Sequence, residues 1–230
     1  MCGRVTRNYS GGVLVDEFEI EEFSYTRLIP RIEQLPLFNV CPSQDVPVVV
    51  CESGNRILRL MRWGFVPAWS KDGTPGKLST INARDDNIRE SKLYGPAFKL
   101  RRCLVPVSGF YEWQGAKRPK TPHLIYLSGS PIFALAGVWS LWKFKTTQEE
   151  IYSFAVVTTS PNELMRPIHD RMPVIVANED YSRWLDADNQ DTDNLSALLN
   201  PFPAGRMAEH VVSGAVNSPK NDSEACIAPV

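Results

Sequence analysis

The hydrophobic and polar positions of this 230-residue chain predict many short strands and few helices. Apolar runs typical of strands occur at residues 46–51, 57–65, 103–107, 110–114, 123–127, 132–140, 152–158, 174–177 and 209–212. Helical patterns occur at residues 13–23, 86–98, 179–186 and 195–199. Because helices do not alternate with strands and 18 prolines keep the elements short, we expect an α+β fold. It would be a single domain over residues 1–230, with a curved or barrel-like, mainly antiparallel β-sheet and peripheral helices.

The composition is that of a globular protein. Hydrophobic residues make up 43% and charged residues 22% of the chain. The longest apolar runs, near residues 133–138 and 154–157, are far shorter than the ~20 residues that cross a bilayer. Charged residues also interrupt the amino-terminal region early, where a signal peptide would be apolar. We therefore expect a soluble, cytoplasmic monomer that has no membrane partner.

The cysteines and histidines predict neither a metal site nor a disulfide framework. Five cysteines occur at wide spacings without a CxxC pair, and the chain has only three histidines. We therefore expect reduced thiols, no metal and no cofactor.

The charge is unevenly distributed along the chain. Residues 56–120 contain 14 Lys or Arg against 5 Asp or Glu, whereas the remainder contains 11 against 21. A net charge of −1 can therefore conceal a basic face that neutralises phosphates. The alternative is that these charges disperse over the surface on folding.

The amino-terminal Met1-Cys2-Gly3-Arg4 carries the most specific chemistry. Removal of Met1 would leave Cys2 with a free amine and a thiol on adjacent carbons. The α-amine has an ordinary pKa of about 7.7–8.0, so part of it is nucleophilic near neutral pH. Such a pair condenses with an aldehyde to an imine, and the thiol then closes a thiazolidine ring with the advantage of an intramolecular reaction. The alternative is that Cys2 merely follows the start codon.

Three other motifs contain candidate functional residues. Asn82, in Ile81-Asn82-Ala83-Arg84, offers a donor and an acceptor, and Arg84 would share its face in an extended strand. Glu112 lies among three aromatic residues, which should raise its pKa, and His169 and Arg171 lie between two prolines. The structural alternatives are a loop asparagine, an exposed glutamate on an edge strand and a buried histidine.

Together these motifs resemble the SOS response-associated peptidase (SRAP) family of abasic-site processing proteins. The resemblance spans almost the whole chain. Its motifs are Cys2-Gly3-Arg4, Asn39-Val40-Cys41-Pro42-Ser43, Met61-Arg62-Trp63-Gly64-Phe65-Val66-Pro67, Asn82-Ala83-Arg84, Arg102-Cys103, Gly109-Phe110-Tyr111-Glu112-Trp113, Ile168-His169-Asp170-Arg171-Met172-Pro173 and the tail from Val212 to Val230. Several motifs in fixed order make the resemblance far more specific than any one of them.

The resemblance implies a covalent reaction with abasic sites in single-stranded DNA. Cys2 would form a thiazolidine with the ring-opened sugar, and Asn82 would position the amino terminus. Glu112 would transfer protons during ring opening and imine formation, and His169 would act on the sugar hydroxyl and in reversal of the crosslink. Removal of the protein's own Met1 and abasic-site lyase activity are also implied.

The resemblance also implies which residues contact DNA. Phosphates would be held by Arg4, Arg84 and Arg171, and a narrow channel would be shaped by Asn39, Pro42 and Trp69. Some family members carry consecutive tryptophans where this chain has only Trp69 after Ala68. A DNA-processing role implies a location at the nucleoid, or in the nucleus of a eukaryote.

Two other functions are compatible with the residues. The first is a thiol peptidase that cleaves other proteins, with Cys2 as nucleophile and His169 as its base. The second is a non-covalent module that binds single-stranded DNA through the basic middle third. A retained Met1 would acylate the amine of Cys2 and prevent imine formation.

Overall fold

A computed structural model describes residues 2–76, 78–117, 119–144 and 149–230. The strands are β1 (Val5–Thr6), β2 (Asp45–Glu52), β3 (Asn55–Trp63), β4 (Asn82–Arg84), β5 (Arg102–Val107), β6 (Gly109–Gln114), β7 (Thr121–Leu127), β8 (Phe133–Lys143), β9 (Glu150–Thr159), β10 (Met172–Pro173), β11 (Ile175–Val176) and β12 (Met207–Val211). The α-helices are α1 (Gly11–Phe18), α2 (Glu22–Ile32), α3 (Gly95–Leu100), α4 (Tyr181–Leu185) and α5 (Thr192–Ser196).

Five strands close into a barrel. They pair in the order β9, β3, β2, β5, β8, and β8 also pairs with β9. Neighbouring strands are antiparallel except β3 and β9, which are parallel. The expected α+β fold with a barrel-like, mainly antiparallel sheet is therefore confirmed.

The barrel strands β2, β5 and β8 are buried on both faces over most of their length, which explains their nearly continuous apolar runs. Along β2, Val48 and Val50 pack into one hydrophobic cluster, while Val49 between them packs into another cluster on the opposite face. The Val49 cluster includes residues of all five α-helices, such as Phe18 and Trp184. The Val48 cluster instead contains Cys2 and residues of a second sheet, so the amino terminus is built into the core.

The second sheet has the order β1, β6, β7, β12. On β6, Phe110 packs into the same cluster as Cys2, and Tyr111 packs on the other side against Val212. Side chains alternate along a strand, so Glu112 shares the face of Phe110. This alternation turns Glu112 towards the amino terminus.

Two predicted helices were wrong in extent. The segment 13–23 is divided, because Glu19 adopts a left-handed φ of 50° that ends α1, and the separate helix α2 then begins. In the segment 86–98, the helix begins only with α3. The Ser91 hydroxyl accepts hydrogen bonds from the backbone amides of Leu93 and Tyr94 just before the helix, and Pro96 favours a helix start there. The patterns also missed α2 and the short strands β1, β4 and β10.

Candidate active site

Cys2 is completely buried beside the second sheet. Its position follows from β1, because Val5 pairs with Phe110 and also exchanges backbone hydrogen bonds of 3.1 and 2.9 Å with Val40. The Arg4 carbonyl accepts a further bond from the amide of Tyr111 at 2.9 Å. The amino-terminal residues are therefore held from both sides, and Cys2 has little freedom to leave the site.

Asn82 binds the backbone of Cys2 directly. Its Nδ2 donates a 2.8 Å hydrogen bond to the Cys2 carbonyl. Asn82 is buried at the start of β4, where it pairs with Val156, and its own carbonyl accepts from the Tyr94 hydroxyl at 3.1 Å. Its side-chain Oδ1 is buried and has no hydrogen-bond partner among the described residues. An acceptor is thus available next to Cys2 for an incoming N–H or O–H group.

Glu112 and His169 form a pair in the same region. The Oε2 of Glu112 lies 4.0 Å from the Nε2 of His169. Burial raises the pKa of the Glu112 carboxyl above its ordinary value, because removal from water disfavours the charged form. A carboxyl that holds its proton more tightly than an exposed one suits a role in proton transfer.

The backbone after His169 orients its ring. The Arg171 amide donates a 3.0 Å hydrogen bond to Nδ1, which assigns the proton of the neutral ring to Nε2, facing Glu112. The Oδ1 of Asp170 lies 2.9 Å from the same Nδ1. The neutral ring therefore presents an N–H donor to Glu112.

The thiol of Cys2 is held in its neutral form. Burial, together with the negative charge of Glu112, raises the pKa of the Cys2 thiol well above its ordinary value. A reaction that uses the sulfur as a nucleophile must therefore transfer its proton to a neighbouring base.

The structure gives Arg4 and Asn39 several internal partners. Arg4 donates through Nη1 to the Asn39 side chain and the Val216 carbonyl, and its guanidinium lies 5.7 Å from the Trp113 ring centroid. The buried Asn39 amide donates to the carbonyls of Ser218 and of Asn221. Asn39 therefore connects Arg4 to the carboxyl-terminal segment, and its amide atoms are occupied within the protein.

Arg84, the last residue of β4, and Arg171, directly before β10, lie together near the end of β9. Arg84 forms an ion pair with Asp86, and Arg171 with Asp85. Arg171 also donates to the Thr158 carbonyl and is nearly buried, whereas Arg84 is exposed over half of its side chain. Sequence reasoning missed both aspartates, although they directly follow Arg84 in the chain.

Trp69 and Pro42 lie outside the polar cluster formed by the four candidate catalytic residues. The Trp69 side chain is 68% exposed and lines a shallow groove with Lys92, Arg101 and Trp139. Pro42 is half-buried after the Val40 bridge. Residues missed by the sequence analysis include Trp113 and Asn217, which line a cavity of about 780 Å³ near Arg4.

Folding neutralises part of the positive charge of residues 56–120, the basic middle third of the chain. Four of its arginines form ion pairs, Arg56 with Glu19, Arg59 with Glu52, Arg84 with Asp86 and Arg89 with Asp193. Arg102 is buried, and its guanidinium donates to main-chain carbonyls such as those of Trp184 and Phe98. The excess of basic residues in the sequence is therefore larger than the excess of unpaired cations on the surface.

The described part of the chain contains neither a candidate metal centre nor a membrane-spanning helix. No group of three or more His, Cys, Asp or Glu side chains among these residues is arranged to hold an ion. Likewise, no helix within them has the length and apolar character needed to traverse a bilayer.

Comparisons with known proteins identify the family of this chain. "Abasic site processing protein YoqW" of Bacillus subtilis (strain 168) is 39% identical over 230 residues, covering 99% of each chain. "Abasic site processing protein HMCES" of Xenopus tropicalis is 31% identical over 224 residues, covering 85% of this chain and 66% of that protein. A crystal structure of a protein from Bacteroides thetaiotaomicron has the same fold, with a TM-score of 0.88 and 24% identity over 100% of both chains. The family model described as SOS response associated peptidase (SRAP) matches residues 1–219, and the chain therefore belongs to that family.

Proposed function

We propose that this protein processes abasic sites in single-stranded DNA by bonding to them covalently through Cys2. The observation that carries the proposal is the 2.8 Å hydrogen bond from Asn82 to the Cys2 carbonyl, in a site that also contains the Glu112–His169 pair. The names of the relatives, which describe abasic-site processing, support the same substrate. It acts as a monomer at the nucleoid, or in the nucleus of a eukaryote.

The reaction begins with the amine of Cys2, after Met1 has been removed. An abasic deoxyribose opens to an aldehyde at C1′, and the amine adds to this carbon to give a carbinolamine. Loss of water gives the imine, and the thiol then adds across the C=N bond. Its sulfur bonds to C1′ and its proton ends on nitrogen, so the thiazolidine forms with the net release of one water.

Glu112 and His169 supply the proton transfers. The hydroxyl of the carbinolamine must be protonated to leave as water, and Glu112 holds its proton more tightly than an exposed carboxyl does. The ionised Glu112 can then accept the proton of the thiol, whose raised pKa makes unassisted ionisation rare. His169, whose Nε2 lies 4.0 Å from Glu112, acts on the sugar hydroxyl.

Asn82 holds the nucleophile in position. Its Nδ2 holds the Cys2 carbonyl, and its buried Oδ1 accepts a hydrogen bond from the amine or from a sugar hydroxyl. Fixing the nucleophile before the sugar arrives reduces the entropy lost in the reaction. Because the amino terminus is held in the core, the DNA must bring its sugar to Cys2 rather than the reverse.

The proposed DNA contacts are divided between charged and apolar residues. Arg4, Arg84 and Arg171 hold phosphates, Trp69 stacks on a base, and Pro42 forms a wall of the channel. Asn39 contributes through Arg4, whose guanidinium it holds. The exposed ring of Trp69 suits stacking, which is largely independent of base identity.

The proposal includes two accompanying activities. Self-removal of Met1 frees the amine. The Cys2 thiol attacks the Met1 carbonyl, the peptide bond breaks as the nitrogen of Cys2 takes a proton, and water hydrolyses the resulting thioester to release methionine. The imine also makes the C2′ hydrogen more acidic, so that transfer of this hydrogen to a base expels the 3′ phosphate and breaks the strand.

Intact mass after incubation with an abasic single-stranded oligonucleotide tests the proposal. Processed wild-type protein should gain the mass of the oligonucleotide minus one water, and Cys2→Ala should give no stable thiazolidine product. An oligonucleotide with a reduced abasic site, which has no aldehyde, is the substrate control. If protein lacking Met1 forms no adduct, or if Cys2→Ala forms the same stable adduct, the proposal is wrong.

A further inference from the structure

The carboxylate of Asp86 lies between two guanidinium groups. Arg84 binds it through Nε, 3.2 Å from each oxygen, and through Nη2 at 2.5 Å. Arg171 approaches the same carboxylate, with Nη1 3.8 Å from Oδ2. A planar group with two acceptor oxygens thus occupies the face of Arg84 that would bind a phosphate in the same way.

Asp85, the preceding residue, is bound differently. Its carboxylate accepts from Arg171 at 2.5 Å and from the Thr159 hydroxyl at 2.7 Å, and its amide donates to the Thr158 carbonyl at 2.9 Å. Its side chain is 23% exposed. Asp85 is therefore part of the framework that positions Arg171 and β4 against β9.

Asp86 has no comparable attachment. Within the described residues, the partners of its carboxylate are the two arginines and its own backbone amide, and its side chain is 47% exposed. A rotation about its side-chain bonds would release Arg84 without disturbing the strands. Asp86 can therefore be displaced, whereas Asp85 cannot be displaced without loss of structure.

The ion pair lies beside the proposed reaction centre. Arg84 is two residues after Asn82 on β4, and Arg171 is two residues after His169. An anion bound to both guanidiniums would therefore lie next to the residues that handle the sugar. Each deoxyribose in DNA is flanked by phosphates, which are the anions that must reach this position.

We infer that the carboxylate of Asp86 stands in for a DNA phosphate at Arg84 and must be displaced when DNA binds. The inference rests on the proposed function. Displacement weakens the reversible binding of intact and abasic DNA equally, because both carry the same phosphates. Only the abasic strand has an aldehyde, so only this strand is retained by a covalent bond. Asp86 thereby limits the time that the protein spends on undamaged DNA.

A purely structural role for Asp86 leads to the opposite expectation. If its carboxylate only held Arg84 ready for DNA, then its removal would free the guanidinium and weaken binding. If it competes with phosphate, then its removal strengthens binding. The sign of the change in affinity therefore distinguishes the two roles.

The test measures the affinity of intact single-stranded DNA by fluorescence anisotropy in a Cys2→Ala background, which prevents the thiazolidine bond. Asp86→Asn should bind roughly two- to fivefold more tightly at low salt, which is the range expected for loss of an exposed ion pair. Unchanged or weaker binding would overturn the inference.

Two variants separate competition from a general change in charge. Asp170→Asn removes an equally negative, exposed side chain near the same arginines but outside the Arg84 ion pair, so its gain should be smaller. In an Arg84→Gln background, Asp86→Asn should give almost no gain, because the site of competition is lost. An equal gain from Asp170→Asn, or a full gain without Arg84, would contradict the inference.

Crosslinking assays with Cys2 present distinguish this inference from the proposed function. If wild-type protein does not crosslink abasic DNA, then the proposed function fails, whatever the affinities for intact DNA. If it does crosslink and Asp86→Asn binds intact DNA no more tightly, then only the role of Asp86 fails. The proposed function and the role of Asp86 are both supported if Asp86→Asn crosslinks abasic DNA and if intact competitor DNA inhibits this variant at lower concentrations than it inhibits the wild type.

Discussion

The Nδ2 of Asn82 lies 2.8 Å from the carbonyl oxygen of Cys2, so that a residue of the barrel holds the amino terminus in the core. The two residues are 80 positions apart in the sequence. The bond depends on the pairing of β4 with β9, which places Asn82 beside Val156, and on the pairing of β1 with β6. The proposed nucleophile is therefore positioned by both sheets.

Asn82→Asp tests this bond, because the substitution replaces a donor by a second acceptor of the same shape. The rate of crosslinking to abasic DNA should fall roughly tenfold or more, since loss of one partner from a buried hydrogen bond costs about 1–3 kcal/mol. Single-turnover gel assays would measure the rate. Asn200→Asp, at an exposed position after α5, is the control and should react at the wild-type rate. An unchanged rate for Asn82→Asp would show that the bond does not position Cys2.

Glu112→Gln should make the protein more stable at neutral and alkaline pH. The folded-state pKa of Glu112 is raised by burial above its ordinary 4.5, so the folded protein binds this proton more tightly than the unfolded chain. The resulting stabilisation is complete below about pH 4.5 and is lost as the pH rises through the folded-state pKa. Glutamine stays neutral, so the advantage of the variant should grow with pH and vanish near pH 4.

Urea denaturation at several pH values between 4 and 8 would measure this difference. Glu90→Gln, at an exposed position, is the charge-matched control. The same Glu112→Gln protein should crosslink abasic DNA more slowly, because it can neither release nor accept the proton. A variant less stable than the wild type at pH 8 would mean that interactions of the charged carboxylate outweigh its burial.

Trp69→Ala should weaken binding to single-stranded DNA without affecting the fold. The ring is 68% exposed, and stacking of a base on an aromatic side chain contributes about 1–3 kcal/mol. Its loss should lower the affinity for single-stranded DNA roughly fivefold or more. Anisotropy measurements in the Cys2→Ala background would detect this loss of affinity. Phe23→Ala, which removes another exposed aromatic ring, 73% exposed on α2, should leave affinity unchanged. Equal losses in the two variants would argue against a specific stacking contact.

Gly137→Ala should destabilise the barrel. A Cβ atom at Gly137 would lie 2.7 Å from the Cys103 sulfur and 3.2 Å from the Val105 side chain, so the neighbouring strand β5 must shift. Overpacking of a core typically costs about 1–3 kcal/mol, which would lower the urea midpoint. Cys103→Ala in the same protein should restore part of the loss by removing the closest atom.

Gly12→Ala provides the matched control for this substitution. Gly12 lies in α1 with no atom within 4 Å of an added Cβ, and alanine favours a helix by roughly 0.5–1 kcal/mol over glycine. The control should therefore raise the urea midpoint. If Gly137→Ala also raised it, the strands around Gly137 would be less tightly packed than their distances indicate.

The sequence by itself determined the strands of the barrel and the types of residue that carry the chemistry. Continuous apolar runs such as that in β2 predict buried strands, because a strand covered on both faces needs no polar positions. The position of Cys2 after Met1 and the motif around Glu112 likewise specify chemistry through residue type alone. Helix bounds were less predictable, because the left-handed turn at Glu19 depends on how α1 and α2 pack onto the barrel.

Only the tertiary structure decided which of these residues act together. The distance from Asn82 to Cys2 and the pairing of Glu112 with His169 depend on strand pairings between distant segments. The ion pair between Arg84 and Asp86 was also not predictable, because a sequence shows the charges but not the directions of their side chains. Residue type and periodicity are local properties, whereas a hydrogen bond or an ion pair exists only where the folded chain brings two groups within a few ångströms.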